Sequence, residues 1–130
     1  MVRMATRSGF RAFLRFYNPQ PRPLPEEVVD RWWAGYTLPT RRAMLAFYRA
    51  TPEKAMERLV EPLARLDVPT LVLWGAHDPA VPVKQAWRQR DSFPSAEVVV
   101  LDDSGHWPYL DDPDATAGVV VPFLERRLAG

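Results

Sequence analysis

Cysteine is absent from the 130 residues. That excludes disulfides, thiolate metal sites and a cysteine nucleophile within this sequence. No apolar run approaches the roughly 20 residues that a membrane-spanning helix needs. An excess of either charge is missing too, since 17 basic residues face 16 acidic ones for a net +1. So even a balance provides no electrostatic footprint for nucleic acid or a charged membrane surface. Serine is scarce, at Ser8, Ser92, Ser95 and Ser104. None stands in a Gly-x-Ser-x-Gly turn, the strained elbow that exposes a serine nucleophile. Acids are missing before Glu26, so Arg3, Arg7, Arg11 and Arg15 recur among Phe10, Phe13, Leu14 and Phe16 without counter-charge. An Arg-rich, acid-poor start has the look of an organellar transit peptide. Arginine nonetheless outnumbers lysine 15 to 2 throughout. The expectation is therefore an ordinary amphipathic helix with an arginine face, in a cytoplasmic protein.

What is present is a hydrophobic fraction of 47% and an aromatic fraction of 12%, enough for a buried core. The 14 prolines punctuate two halves of different character. Residues 1–66 read as short helices without a strand pattern. Pro19, Pro21, Pro23 and Pro25 alternate along residues 18–25, which excludes helix and sheet pairing and predicts an extended connector. Pro25-Glu26-Glu27 opens a helix with Val29, Trp32, Trp33 and Tyr36 on one face. Thr40 is the expected cap of a helix carrying Met44, Leu45, Phe47 and Tyr48; Thr51-Pro52-Glu53 starts another that Pro62 limits.

From residue 67 to 130 the pattern becomes strand, helix, strand, helix, a parallel βαβ signature. Leu71-Val72-Leu73-Trp74 and Val98-Val99-Val100-Leu101 are continuous apolar runs, as expected of strands buried on both faces. Residues 83–93 supply the crossover helix. Asp112-Pro113 opens the last helix, through Leu128, with a kink expected at Pro122.

Asp78 follows the first strand and His106 follows the second, in a Gly-His turn. Parallel strands end at one edge, so both side chains can reach the same place. There a carboxylate fixes the imidazole tautomer and stabilises the imidazolium, leaving the other ring nitrogen as a base. The run Val68-Pro69-Thr70-Leu71-Val72-Leu73-Trp74-Gly75-Ala76-His77-Asp78-Pro79-Ala80-Val81-Pro82 resembles the acid-bearing segment of the α/β-hydrolase superfamily. Ser104-Gly105-His106-Trp107-Pro108, then Asp112-Pro113 and Phe123-Leu124, is similar to its histidine loop and final helix. The helical half resembles the cap of haloalkane-dehalogenase-like and epoxide-hydrolase-like members.

The resemblance implies an α/β fold: the C-terminal βαβα portion of a hydrolase behind a helical cap-like region, with an incomplete sheet. It makes Asp78 the triad acid and His106 the triad base, with no cofactor and a small uncharged substrate. Family members carry further strands, an oxyanion loop and the nucleophile elbow before the cap, and none of these is recognisable here. All four serines are rejected as nucleophiles; Ser8 has Phe10 where the elbow requires glycine. The expectation is a fragment without hydrolysis of its own. Its partner would be the missing N-terminal half or a second copy, or, in the rival reading, another chain bound along an exposed sheet edge by a non-catalytic module.

Other groupings have blander alternatives. His77, Asp78 and His106 are of the types that ligate zinc or iron, yet no paired ligand spacing supports them. Asp102, Asp103, Asp111, Asp112 and Asp114 lack the calcium-loop pattern and read as a solvated acidic turn and helix start. Trp107 is a candidate for lining a substrate pocket, with ordinary packing as the alternative.

Overall fold

The computed structural model describes residues 6–18, 24–66 and 68–129. Four helices come first: α1 (Arg7–Tyr17), α2 (Glu26–Gly35), α3 (Leu38–Ala50) and α4 (Glu53–Ala64). Then follow β1 (Leu71–Gly75), α5 (Lys84–Arg88) with a 3-10 turn at Gln89–Asp91, β2 (Glu97–Leu101), α6 (Pro108–Asp111) and α7 (Pro113–Leu128). Most of the alternating-proline connector, residues 19–23, lies outside the described residues.

The Thr6 hydroxyl caps α1 by accepting from the Gly9 N–H at 3.1 Å. Phe10 and Leu14 lie one turn apart on its apolar face, and both are buried. Val29 of α2 is buried against them, with Phe13, Leu24, Trp32, Trp33, Tyr36 and Trp107 packed around. Phe10 meets the rings of Trp33 and Tyr36 at 5.5 and 5.0 Å between centroids. Trp32 meets Trp107 edge-on at 5.3 Å. Arg7 pairs with Glu26 and Asp30 of α2, and Arg11 with Glu26. These pairs are exposed and worth little individually, but they account for two arginines of the repeating face.

Two predicted helix starts need correction. Thr37, not Thr40, caps α3, and Pro39 falls in the first turn, where no N–H is required. Thr40 instead donates its hydroxyl to the Gly35 carbonyl at 2.8 Å. Thr51 closes α3 by donating to the Phe47 carbonyl at 2.8 Å and does not cap α4. Pro62 does not end α4, which runs to Ala64. So near the end of a helix, proline's own φ is already helical and only one carbonyl loses its partner. Pro122 likewise lies inside α7, which continues to Leu128.

Strands β1 and β2 pair in parallel, with Leu71 opposite Glu97 and Gly75 opposite Leu101. Among the described residues they form a two-stranded sheet. Helix α5 packs on both strands; α6 and α7 pack on β1. Burial on both faces was expected, but every position except Gly75 is only half-buried. A sheet of two strands has both edges open, so its side chains lack the neighbouring strands that would bury them. Arg126 and Arg127 of α7 reach Glu97 at 2.8 and 3.1 Å, tying the last helix to the start of β2.

Candidate active site

Asp78 and His106 are brought together at the carboxyl ends of the two strands. The Asp78 Oδ2 lies 2.9 Å from Nδ1 of His106. The other oxygen, Oδ1, accepts from the Ala80 and Val81 amides at 2.8 and 2.9 Å. This local turn holds the carboxylate by one oxygen and leaves the second for the imidazole. The Asp78 side chain is only 6% exposed, against 32% for His106. A carboxylate oxygen only accepts, so this contact calls for the hydrogen on Nδ1; in that tautomer Nε2 keeps its lone pair. Nε2 has no hydrogen-bond partner among the described residues.

Several backbone contacts fix the two loops. The Trp74 indole N–H donates to the Val81 carbonyl at 3.2 Å, tying the aspartate loop back to β1. The His77 amide donates to the Ser104 carbonyl at 2.9 Å, joining that loop to the histidine loop. Gly75 makes the approach feasible: a Cβ there would stand 2.0 Å from the Gly105 carbonyl oxygen. On the far side, the His106 amide donates to the Tyr17 carbonyl at 3.3 Å, with the two rings 5.3 Å apart. The end of α1 thus rests directly on the histidine loop.

Leu73, Trp74, Gly75, Asp78, Val81, Gly105, His106 and Pro108 line a cleft of about 170 Å³. Its tryptophan is Trp74. Trp107 packs against Trp32 and the α1–α2 core, with its ring 5.4 Å from that of His106. His77 is exposed, and among the described residues no group of three metal-ligating side chains is close enough to hold an ion. Ser104 is fully buried, and its hydroxyl has no partner among the described residues.

The acidic cluster divides. Asp102 and Asp103 are exposed, and Asp112 caps α7 by accepting from the Ala115 amide at 3.0 Å. Asp111 breaks the expectation of a solvated turn: it is 5% exposed, and its Oδ2 accepts from the Gly105 amide at 2.7 Å. Burial pushes its carboxyl above the ordinary value, and the Gly105 hydrogen bond opposes that rise. Five aspartates in thirteen residues look alike in sequence. The one distinguishing signal was Pro108, which starts the turn that folds position 111 back beneath the loop. Tyr17 carried no sequence signal at all, being one aromatic among many on α1.

Comparison with known proteins shows the family and the fold. Residues 10–113 match the family model described as alpha/beta hydrolase fold. A pimeloyl-[acyl-carrier protein] methyl ester esterase of Pectobacterium atrosepticum is 42% identical over 67 residues, covering 52% of this chain and 26% of the esterase. A 2-hydroxy-6-oxo-6-(2'-aminophenyl)hexa-2,4-dienoic acid hydrolase of Metapseudomonas resinovorans is 31% identical over 97 residues, covering 71% and 33%. Among solved structures, the 2-hydroxy-6-oxo-6-phenylhexa-2,4-dienoate hydrolase of Rhodococcus sp. strain RHA1 superposes with a TM-score of 0.72 at 25% identity, covering 93% of this chain and 45% of that one. A lipase-like structure from Acinetobacter baumannii AYE shares the fold with a TM-score of 0.74 at 21% identity, over 96% and 43%. The matched regions thus span a third or less of these curated relatives and under half of the solved chains.

Proposed function

Because the chain belongs to the α/β-hydrolase fold family, we propose that it supplies the acid and base of a hydrolase working by nucleophilic catalysis. The observation that carries this reading is the 2.9 Å contact between Asp78 Oδ2 and His106 Nδ1 beside an apolar cleft. Asp78 holds the imidazole with its hydrogen on Nδ1. The Nε2 lone pair then takes the proton of an attacking hydroxyl and returns it to the leaving group, while Asp78 stabilises the intervening imidazolium. Leu73, Trp74, Val81 and Pro108 make the cleft small and apolar, which favours a small uncharged substrate. The names of the similar esterase and dienoic acid hydrolases point to an ester or a related carbonyl compound.

The nucleophile and the oxyanion donors come from outside these 130 residues. Of the four serines, Ser104 is buried away from solvent, and Ser8, Ser92 and Ser95 are not among the residues that line the Asp78–His106 cleft. The chain by itself is therefore expected not to hydrolyse p-nitrophenyl esters above background. Turnover is expected when it is combined with a separately made N-terminal hydrolase half, and it should vanish in His106→Ala. Activity that survives His106→Ala would overturn the assignment of the base, and His106-dependent turnover by the chain alone would overturn the assignment of the nucleophile elsewhere.

A second reading rests on the half-buried strands and on the exposed Met44, Leu45, Phe47 and Tyr48 of α3. In it the chain is a non-catalytic module that binds a partner chain along its sheet edge. A monodisperse 14.9 kDa species in sedimentation at micromolar concentration would count against self-association.

A further inference from the structure

The geometry points to Asp111 as a positioning residue for His106, acting through the Gly105 amide. This rests on the Asp78–His106 pairing proposed above. His106 must present Nδ1 to Asp78, and besides the His77–Ser104 bond at the start of its loop, two amides hold its backbone. One is its own amide on the Tyr17 carbonyl at 3.3 Å. The other is the neighbouring Gly105 amide on Asp111 Oδ2 at 2.7 Å. The second is the shorter bond and has an ionisable acceptor, the kind of hydrogen bond that is about twice as strong as a neutral one. Gly105 and Asp111 are both buried. Water cannot readily replace the carboxylate, so losing it leaves a buried N–H unpaired, at a cost that favours moving the loop.

The position of Asp111 also explains why a carboxylate tolerates burial there. Its Oδ1 is buried without a partner among the described residues, so one hydrogen bond carries the whole compensation. Of the elements packed against α6, β1 carries no ionisable side chain, and α7 carries Asp114, Glu125, Arg126 and Arg127, with Asp112 at its cap; Asp78 and His106 stand in the loops after the strands. Burial and the Gly105 amide are the influences that move Asp111 from its ordinary titration.

The test is the tautomer of His106 in the full chain, read from long-range proton–nitrogen spectra of histidine-labelled protein above the imidazole titration. His77, the other histidine, is the internal reference. The wild type is expected to show His106 with its hydrogen on Nδ1. Asp111→Ala is expected to lose that preference, with His106 reverting to the Nε2–H form or a mixture, while the spectrum of His77 and the helix content stay unchanged. Asp111→Asn keeps an oxygen acceptor and is expected to keep the Nδ1–H form. If folded Asp111→Ala retains the wild-type tautomer, the positioning role is refuted while the Asp78–His106 pair stands. If the wild type itself shows Nε2–H, the pairing fails and the inference falls with it. Should Asp111→Ala not fold, the wild type decides: the Gly105 amide resonance must move with the Asp111 carboxyl carbon as that group titrates, and an indifferent amide refutes the link.

Discussion

The close packing of Gly75 against the histidine loop offers a sharp test. Replacing Gly75 with alanine places a methyl group 2.0 Å from the Gly105 oxygen, 2.5 Å from the Ser104 oxygen and 2.6 Å from the Ser104 carbonyl carbon. All three atoms are backbone, so no side-chain rotation relieves the clash. Restoring ordinary contact requires β1 and the histidine loop to part by about 1 Å or more. The His77 amide to Ser104 carbonyl bond, now 2.9 Å, spans that gap. So does the 2.9 Å pair of Asp78 and His106, and neither survives as a good hydrogen bond at such a separation. Overpacking costs about 1–3 kcal/mol and the two lost bonds about 1 kcal/mol each, so Gly75→Ala is expected to destabilise by roughly 3–5 kcal/mol. Gly118→Ala is the control, because its methyl group meets nothing within 4 Å. Inside α7 it should stabilise by about 0.5–1 kcal/mol. Urea unfolding followed by tryptophan fluorescence and far-ultraviolet dichroism compares the two. Equal midpoints, or a folded Gly75→Ala that keeps the Nδ1–H tautomer of His106, would refute the packing argument.

Three further outcomes are expected. Phe10→Ala removes the ring that Trp33 and Tyr36 pack against and should cost roughly 3 kcal/mol or more; a loss under about 1 kcal/mol in urea unfolding would mean that α1 and α2 share no true core. Asp112→Ala removes the 3.0 Å cap on the Ala115 amide and should cost about 1 kcal/mol, seen as a loss of helix content confined to the last helix by amide exchange. Asp111 predicts a pH dependence. Its folded-state pKa is raised above the ordinary 3.8 by burial, so the folded chain holds the proton more tightly than the unfolded one. Wild-type stability relative to Asp111→Asn should therefore fall as pH rises from 3.8 through the folded value, and should plateau in acid. A difference that grows in the opposite direction between pH 3 and 7 would contradict the burial effect.

Much of this molecule was decided locally, and those parts were legible in the order of residues. Proline and acids at Pro25-Glu26-Glu27 and Asp112-Pro113 marked helix starts because capping and dipole effects act within one turn. The apolar runs at Leu71 and Val98 marked two parallel strands. Strand order then implied that Asp78 and His106 would share an edge. Where a local signal had two readings, tertiary context chose. Thr40 resembled a cap until Pro39 drew the helix back by three residues to Thr37. Trp107 had two readings, pocket lining and packing, and the structure shows its packing on the α1–α2 cluster.

Other features depended on parts of the chain far apart in sequence, and no local pattern encodes those. Tyr17 meets His106 across 89 residues only because α1 packs against the histidine loop. The need for glycine at position 75 arises from the Gly105 carbonyl thirty residues later. Asp111 is set apart from its four acidic neighbours by its burial, and burial is a property of what surrounds a residue. The sequence by itself singled out Asp78 and His106 and the two strands that they follow. Only the tertiary structure decided which aspartate is buried, which tryptophan lines the cleft and what holds the histidine, because those depend on distances between segments that the chain order leaves open.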